Sequence, residues 1–446
     1  MLLLPGENQL RPSTAVGLPE RNLAPQSRTS SHREGNIEEG SKGGAKASKS
    51  GKQRRCSRIN TVRPHNTHSS LKVSRMSGFH MEGFSGYSVK YSPFFDNKLA
   101  VASGANFGLV GNGKLYILDI DQNGRLQESN SFLTQDCLFD TAWNELHENQ
   151  LVVAQGDGSL RLFDITLQNY PIAVFKEHER EVLSCNWNLV SKNTFVSSSW
   201  DGTAKIWSPL RSNSLLTLMP HPMKITEYID RIDIPLSHQK AHGEITKNKN
   251  CLYQAIFSPH DPNMIMTCAG NSYITLFDMR QPVTANNQQN FLSHGGLETL
   301  TCDFNKYRPN IIASGGVDNA IRIWDLRMVE TARGNLSATT SARPKCVNEI
   351  SRSHELAVRK VVWSPHDPRL LLSASYDMSC CIWEDLSFNG QTTISRTNNT
   401  HFGKGCIARF GQHTEFVFGA DWSLWGKPGF VSTTSWDGNV FVWKGY

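Results

Sequence analysis

The chain has 446 residues, enough to bury a large core, and a formal net charge of +6 from 46 Lys and Arg against 40 Asp and Glu. No apolar run reaches the roughly 18 residues that a membrane-spanning helix needs, and residues 1–4 are too few for a signal-peptide core. Ten scattered cysteines with no Cys-x-x-Cys pair read as cytosolic thiols and speak against a zinc site.

Residues 1–75 are rich in Ser, Gly, Pro, Lys and Arg and show no sustained period of 2 or 3.6, so they are expected to be a disordered basic tail. They carry a net +9 and leave −3 for residues 76–446, so the folded body has no general reason to bind nucleic acid. Lys52, Arg54, Arg55 and Arg58 read as a solvated run, a nuclear or nucleic-acid patch being the alternative. Glu7, Glu20, Glu34, Glu38 and Glu39 count against a mitochondrial transit peptide. Met76 and Met81 stand where order is expected to begin, which leaves two alternatives open, a product that includes the tail and one that starts after it.

From residue 87 onward one segment is written seven times. Its clearest copy, residues 175–208, places His178, then Trp187 nine residues on, Asp201 fourteen further and Trp207 six after that. Asp201-Gly202 between alternating runs is a hairpin signal, because the tight turn that matches strand twist needs positive φ at its centre. A degenerate first copy spans 87–119, with Gly104, Gly108, Gly111 and Gly113 predicting a long irregular hairpin rather than a phosphate loop. Trp143, Asp157 and Phe163 keep the fourteen-then-six spacing, as do Phe257, Asn271 and Phe277. Phe304, Asp318 and Trp324 follow with His294 ahead, then His354, Trp363, Asp377 and Trp383, and last His413, Trp422, Asp437 and Trp443. Units of this length, with several short strands and a His and Trp-Asp-like end, resemble WD repeats and predict an all-β fold, a seven-bladed WD-repeat β-propeller over residues 76–446. In that resemblance His178, Asp201, Trp207, Asp318, Trp324, His354, Asp377, Trp383, His413, Asp437 and Trp443 are structural, forming hydrogen-bonded clusters inside the blades. The recurrence of the His and Asp pair in four blades argues against a single catalytic site. No enzyme activity and no cofactor are expected.

Four insertions, 209–250, 281–289, 328–343 and 387–405, are expected to leave the third strand of a blade and return to the next blade, as tolerated surface loops or as partner contacts. Only three residues follow Trp443, so the seventh blade is expected to borrow its outermost strand from residues near Ser77 to Phe84.

The particular residues go further than the repeat. GFSGYSVKYSPFFDNKLAVASGANFGLVGNGKLYIL at 83–118, FLTQDCLFDTAWNE at 132–145, FKEHEREVLSCNWN at 175–188, CDFNKYRPNIIASGGVDNAIRIWDLR at 302–327 and FGADWSLWGKPGFVSTTSWDGNVFVWKG at 418–445 resemble the family of peroxisomal import receptors for type 2 targeting signals, budding-yeast members above all. The resemblance covers residues 79–446 in order. It implies a receptor that cycles between cytoplasm and peroxisome, binds cargo proteins through a signal like Arg-Leu-x-x-x-x-x-His-Leu, and works with a co-receptor peroxin and the peroxisomal docking complex, with no nucleic acid and no membrane span.

An amphipathic cationic helix asks for an apolar floor and placed acids. Trp200, Tyr376 and Trp436 precede the turn Asp in three blades and are expected to point out of one face, local packing being the alternative. Asp136, Asp140, Glu181, Glu298 and Glu415 are expected in the loops entering the first strands on that same face, with Asp136 and Glu181 first in line for the Arg of the signal. The other reading is a WD-repeat scaffold or substrate-recognition subunit of another complex, such as a ubiquitin ligase; a phosphorylated degron there would want basic residues at these positions.

Overall fold

A computed structural model describes residues 76–168, 170–220, 251–283, 287–329, 346–388, 405–425 and 428–446. The tail expected over 1–75 lies outside the described residues. Among those described, 28 strands and one short 3-10 turn form seven four-stranded antiparallel sheets. The innermost strands are Ser85–Tyr91, Leu138–Trp143, Val182–Trp187, Leu252–Phe257, Thr299–Phe304, Val358–Trp363 and Val417–Trp422. Each touches the innermost strand of both neighbours, the seventh touching the first, which makes the ring of a seven-bladed propeller.

The hydrophobic cores lie between neighbouring blades, not at one centre. Leu160 and Phe175 of blade two pack with Trp187, Phe195 and Trp207 of blade three, all buried. The ring closes as expected: Met76–His80 pairs antiparallel with Asn439–Lys444, from Met76 opposite Trp443 to His80 opposite Asn439. Residues 81–84 turn into blade one, the Met81 amide donating to the Gly438 carbonyl at 2.7 Å. The closure thus ties an edge that would otherwise offer unpaired backbone groups.

Polar residues in the innermost strands stitch blade to blade. Asp140 accepts from the Ser88 hydroxyl at 2.7 Å and, with its other oxygen, from the Cys185 amide at 3.1 Å. Ser184 accepts from the Ala255 amide, Gln254 from that of Cys302 and Thr301 from that of Val361. Nearer the other end, Asn186, Asp303 and Asp421 accept from the amides of Phe257, Trp363 and Tyr91. Inner strands of different blades share no ladder, so these side chains satisfy amides that would otherwise be buried unpaired.

The insertions depart from expectation. Those at 281–289, 328–343 and 387–405 stay within one blade, between third strands ending at Asp278, Asp325 and Glu384 and fourth strands beginning at Gln288, Asn348 and Cys406. The fourth strands escaped notice because they are short and mixed in character, Asn348–Ile350 being three residues long. The segment 209–250 contains such a strand too, Leu216–Leu218. Alternation of strand direction sorts the connections: first-to-second and third-to-fourth open at one end of the ring, second-to-third and blade-to-blade at the other.

Candidate functional site

At the end where each innermost strand begins, all seven carry the same irregularity. The register slips by one residue between Gly86 and Ser88, Leu138 and Asp140, Val182 and Ser184, Leu252 and Gln254, Thr299 and Thr301, Val358 and Lys360, and Val417 and Gly419. A bulged residue leaves the ladder and its side chain is re-aimed. The seven bulged residues are Tyr87, Phe139, Leu183, Tyr253, Leu300, Arg359 and Phe418. Six of them, all but Leu300, line one cavity at the mouth of the central channel. Each sits four residues before an aromatic at the strand end, Tyr91, Trp143, Trp187, Phe257, Phe304, Trp363 or Trp422. Strict alternation would put both on one side of the strand, so a period-2 reading hides this ring; the recurring four-residue spacing was the signal available.

Blades six, seven and one build an aromatic half on this face. Phe418 stacks on Trp436 with centroids 4.8 Å apart at 12°, and meets Tyr87 at 5.0 Å and Tyr376 at 5.3 Å. Phe416 lies 5.0 Å from Tyr376, and Tyr87 is edge-on to Phe139 at 5.2 Å. Tyr376 is only 7% exposed, so the expectation that it points outward is corrected: Phe416 and Phe418 cover it and it supports the surface from beneath. Trp436 and Trp200 are half-buried, and the Arg180 guanidinium lies 5.5 Å over the Trp200 ring.

The hairpin of blade one adds a spur that sequence reading left as an irregular loop. Asn106 and Phe107 adopt positive φ of 48° and 55°, uncommon for residues with a Cβ. The strain is held by hydrogen bonds: the Tyr87 hydroxyl donates to the Phe107 carbonyl at 2.6 Å and the Asn106 amide side chain to the Val110 carbonyl at 3.1 Å. Phe107 rests 5.5 Å from Trp436, while Leu109 and Val110 are 72% and 70% exposed.

The acids form an arc on blades two, three and five. Asp136 lies over Gly156, where a Cβ would come within 3.0 Å of its carboxyl carbon; blades three, six and seven carry an aromatic at that position. Glu298 stands near Gly270 and accepts from the Tyr253 hydroxyl at 3.2 Å. Burial raises the Asp136 carboxyl above the usual range, and the neighbouring charges of Asp157 and Glu181 add to the rise. Burial also raises that of Glu298, against the Tyr253 hydrogen bond. Glu181 meets Arg180 at 3.5 Å, and Glu415, on blade seven, is half-buried. Asp140 does not belong to the set: it lies inside Leu138–Trp143, 6% exposed, with both oxygens used between blades.

The repeated His and Asp residues are internal. His178 bonds Asp201 at 2.8 Å through Nδ1 and Ser197 at 2.8 Å through Nε2, and the same serine accepts from Trp207 at 2.8 Å. His294, Asp318, Ser314 and Trp324 repeat this, as do His354, Asp377, Ser373 and Trp383. The serine between His and Trp is a member the sequence reading missed. Blade seven carries Thr433 there; His413 bonds Asp437 at 3.1 Å and Thr433 at 3.0 Å, but the Trp443 indole N–H finds no partner among the described residues. Burial alone would raise the Asp437 carboxyl; the His413 hydrogen bond and charge outweigh it and bring it down to about 2.

The WD domain, G-beta repeat family matches residues 169–208, 286–325 and 344–384. A peroxisomal targeting signal 2 receptor of Saccharomyces cerevisiae is 62% identical over 377 residues, 83% of this chain and 100% of that protein. The chain belongs to the family of peroxisomal targeting signal 2 receptors. Other members are more distant: that of Komagataella phaffii is 45% identical over 83% of this chain and 99% of its own length, and that of Schizosaccharomyces pombe 28% identical over 82% and 98%. The receptor family thus spans the whole ring of blades.

Proposed function

We propose that this protein is an import receptor that binds the type 2 peroxisomal targeting signal of matrix proteins on the bulged end of its ring. The observation that carries the reading is the meeting, on one face, of an aromatic floor with an arc of partly buried acids. A signal like Arg-Leu-x-x-x-x-x-His-Leu, wound as a helix, sets its Arg and His two turns apart on one side and its Leu residues on the next. The Leu side chains then lie on Trp436, Phe416, Phe418 and Phe107, and the cations face the arc. Asp136 and Glu181 take the Arg; Glu298, across the mouth, takes the His; Trp200 and Glu415 flank the two ends. The raised Asp136 and Glu298 carboxyls suit this role, since an acid raised by burial, and for Asp136 also by like charge, gains from an arriving cation. The work is binding without catalytic chemistry, in cycles between cytosol and peroxisome with a co-receptor peroxin and the docking complex.

The test is anisotropy of a fluorescent signal peptide on the full chain, with an Arg→Ala peptide as control. Micromolar or tighter binding that the control loses is the expected result. Equal binding of both peptides, or none of either, overturns the assignment and turns attention to a scaffold role.

A further inference from the structure

Among the described residues nine cysteines are free thiols, and they are not alike. Two pairs hold their sulfurs in hydrogen-bond contact, Cys268 with Cys302 and Cys381 with Cys406. The first pair is sealed, both residues being 0% exposed in the core between blades four and five. The second is open on one side: Cys381 is 1% exposed in the core between blades five and six, while Cys406 is half-buried at the margin of that core. Cys380, next in sequence, faces the opposite side of the sheet, toward blade seven, and takes no part.

The backbone explains the contact. Cys380–Glu384 is the third strand of blade six and Cys406–Phe410 the fourth, its outer edge. The ladder pairs Cys381 with Arg409 and Ile382 with Ala408, then slips so that Trp383 faces Cys406 and Ile407 drops out. The slip turns Cys406 to the face that Cys381 and Trp383 share, on the diagonal from Cys381. An edge strand bulged at its first residues, with no neighbour outside it, can shift at that end. The two sulfurs also differ in chemistry. The Cys381 hydrogen bond holds the Cys406 thiol below its ordinary value in spite of burial, and the Arg409 charge and the Ala408 amide add to this. Burial pushes the Cys381 thiol well up, and the hydrogen bond it gives to Cys406 keeps its proton in place. One sulfur is thus a nucleophile within reach of solvent and the other a protonated neighbour behind it, the relation of an attacking to a resolving thiol.

We propose that Cys406 and Cys381 are a modification site, where a hydroperoxide oxidises Cys406 and Cys381 resolves the product as a disulfide between the third and fourth strands of blade six. The Cys406 thiolate attacks one peroxide oxygen and the O–O bond breaks, giving a sulfenic acid and, from hydrogen peroxide, hydroxide that takes up the thiol's proton. The Cys381 sulfur then attacks the sulfenic sulfur; the S–S bond forms, the S–O bond breaks, and the departing oxygen leaves as water with the Cys381 proton. The thiols give up two electrons and two protons, and one hydrogen peroxide becomes two waters. The site stands independently of the signal-binding reading.

The experiment exposes the full chain to hydrogen peroxide at neutral pH, blocks the remaining thiols with N-ethylmaleimide in denaturant and maps the peptides by mass spectrometry without reduction. Wild type should yield Cys381 linked to Cys406, a bond that dithiothreitol releases, while Cys268 and Cys302 carry the maleimide. Oxidation of Cys406 should run about ten-fold ahead of Cys251, which is also half-buried but whose thiol burial raises. Cys381→Ser should stop at a sulfenic acid on Cys406, trapped by dimedone, and Cys406→Ser should leave Cys381 reduced. Wild-type Cys406 left reduced, or held as a sulfenic acid with no link, overturns the proposal, as does a bond between Cys268 and Cys302 in its place. Melting curves identify a variant that has lost its fold; the wild-type map then decides by itself.

Discussion

The two halves of the bulged face are built on one plan and chemically opposed. In blades six and seven the residue before the turn Asp is Tyr376 or Trp436, and the loop or bulge beside it supplies Phe416 and Phe418. In blade two that residue is Gly156, and the space it leaves lets Asp136 lie down over the turn. The backbone register behind them is the same: the Trp436 amide donates to Phe416 O at 3.0 Å, and the Gly156 amide to Cys137 O at 3.0 Å. A repeat that is constant in its interior is therefore free to vary at one position per blade, and the ring turns that variation into a patterned surface. The interior ties, such as His178 with Asp201 and Ser197, recur in four blades and carry no information about ligand.

The largest effect tests what holds the aromatic half in place. Blade seven borrows Met76–His80, and the turn after it abuts Gly438, two residues beyond Trp436. Deleting residues 1–75 should leave melting unchanged, whereas deleting 1–84 should abolish cooperative unfolding, because it opens the ring and strips Met81, which is 1% exposed, from its core. Equal melting of the two truncations would show that the closing strand is dispensable.

Next in size is the acidic arc. Asp136→Ala with Glu181→Ala should weaken a wild-type signal roughly 100-fold, about 1.4 kcal/mol for each of two partly desolvated charge pairs, and should hardly affect an Arg→Ala peptide. The dependence on acid has a definite sign. The Asp136 carboxyl is raised, so its charge is complete only above that raised value and is lost as the pH falls through it. Binding by wild type should thus weaken on acidification sooner than an ordinary exposed carboxylate would allow, and Asp136→Asn should be weaker and flatter over that window. Identical pH profiles for the two proteins would remove Asp136 from the arc.

How much of this could be read in the sequence follows from what repeats. Spacings between large residues recur, so the seven blades and their closure were legible from Trp187, Asp201 and Trp207 and their echoes. The acids at 136, 181, 298 and 415 were legible as loop residues because they precede a strand. Asp140 was misplaced because the strand Leu138–Trp143 begins earlier than its apolar pattern suggests, the bulge at Phe139 breaking the alternation that would mark it. The same slip hid Tyr87, Tyr253, Arg359 and Phe418, whose importance comes from a backbone irregularity and not from residue type. Tyr376 shows the converse: its position is right, but its exposure depends on neighbours from blade seven that no local pattern specifies.

The smallest effect separates the halves most cleanly. Leu109→Ser with Val110→Ser removes apolar surface from the tip of the spur, where both side chains are largely exposed in the unbound protein. Melting should be unchanged, since nothing buried is lost. Signal binding should fall about five-fold, roughly the 1 kcal/mol that some 40 Å² of apolar contact supplies. The loss should not vary with salt, in contrast to the loss from the acid pair, which should shrink as ionic strength rises. Gly108→Ala sharpens the point, because φ there is +68° and a Cβ would stand inside contact distance of the Tyr87 hydroxyl that holds the spur. It adds apolar surface yet should weaken binding as Leu109→Ser with Val110→Ser does, by displacing the spur from Trp436. If it binds as wild type does, the spur's fixed shape is irrelevant and only its composition counts.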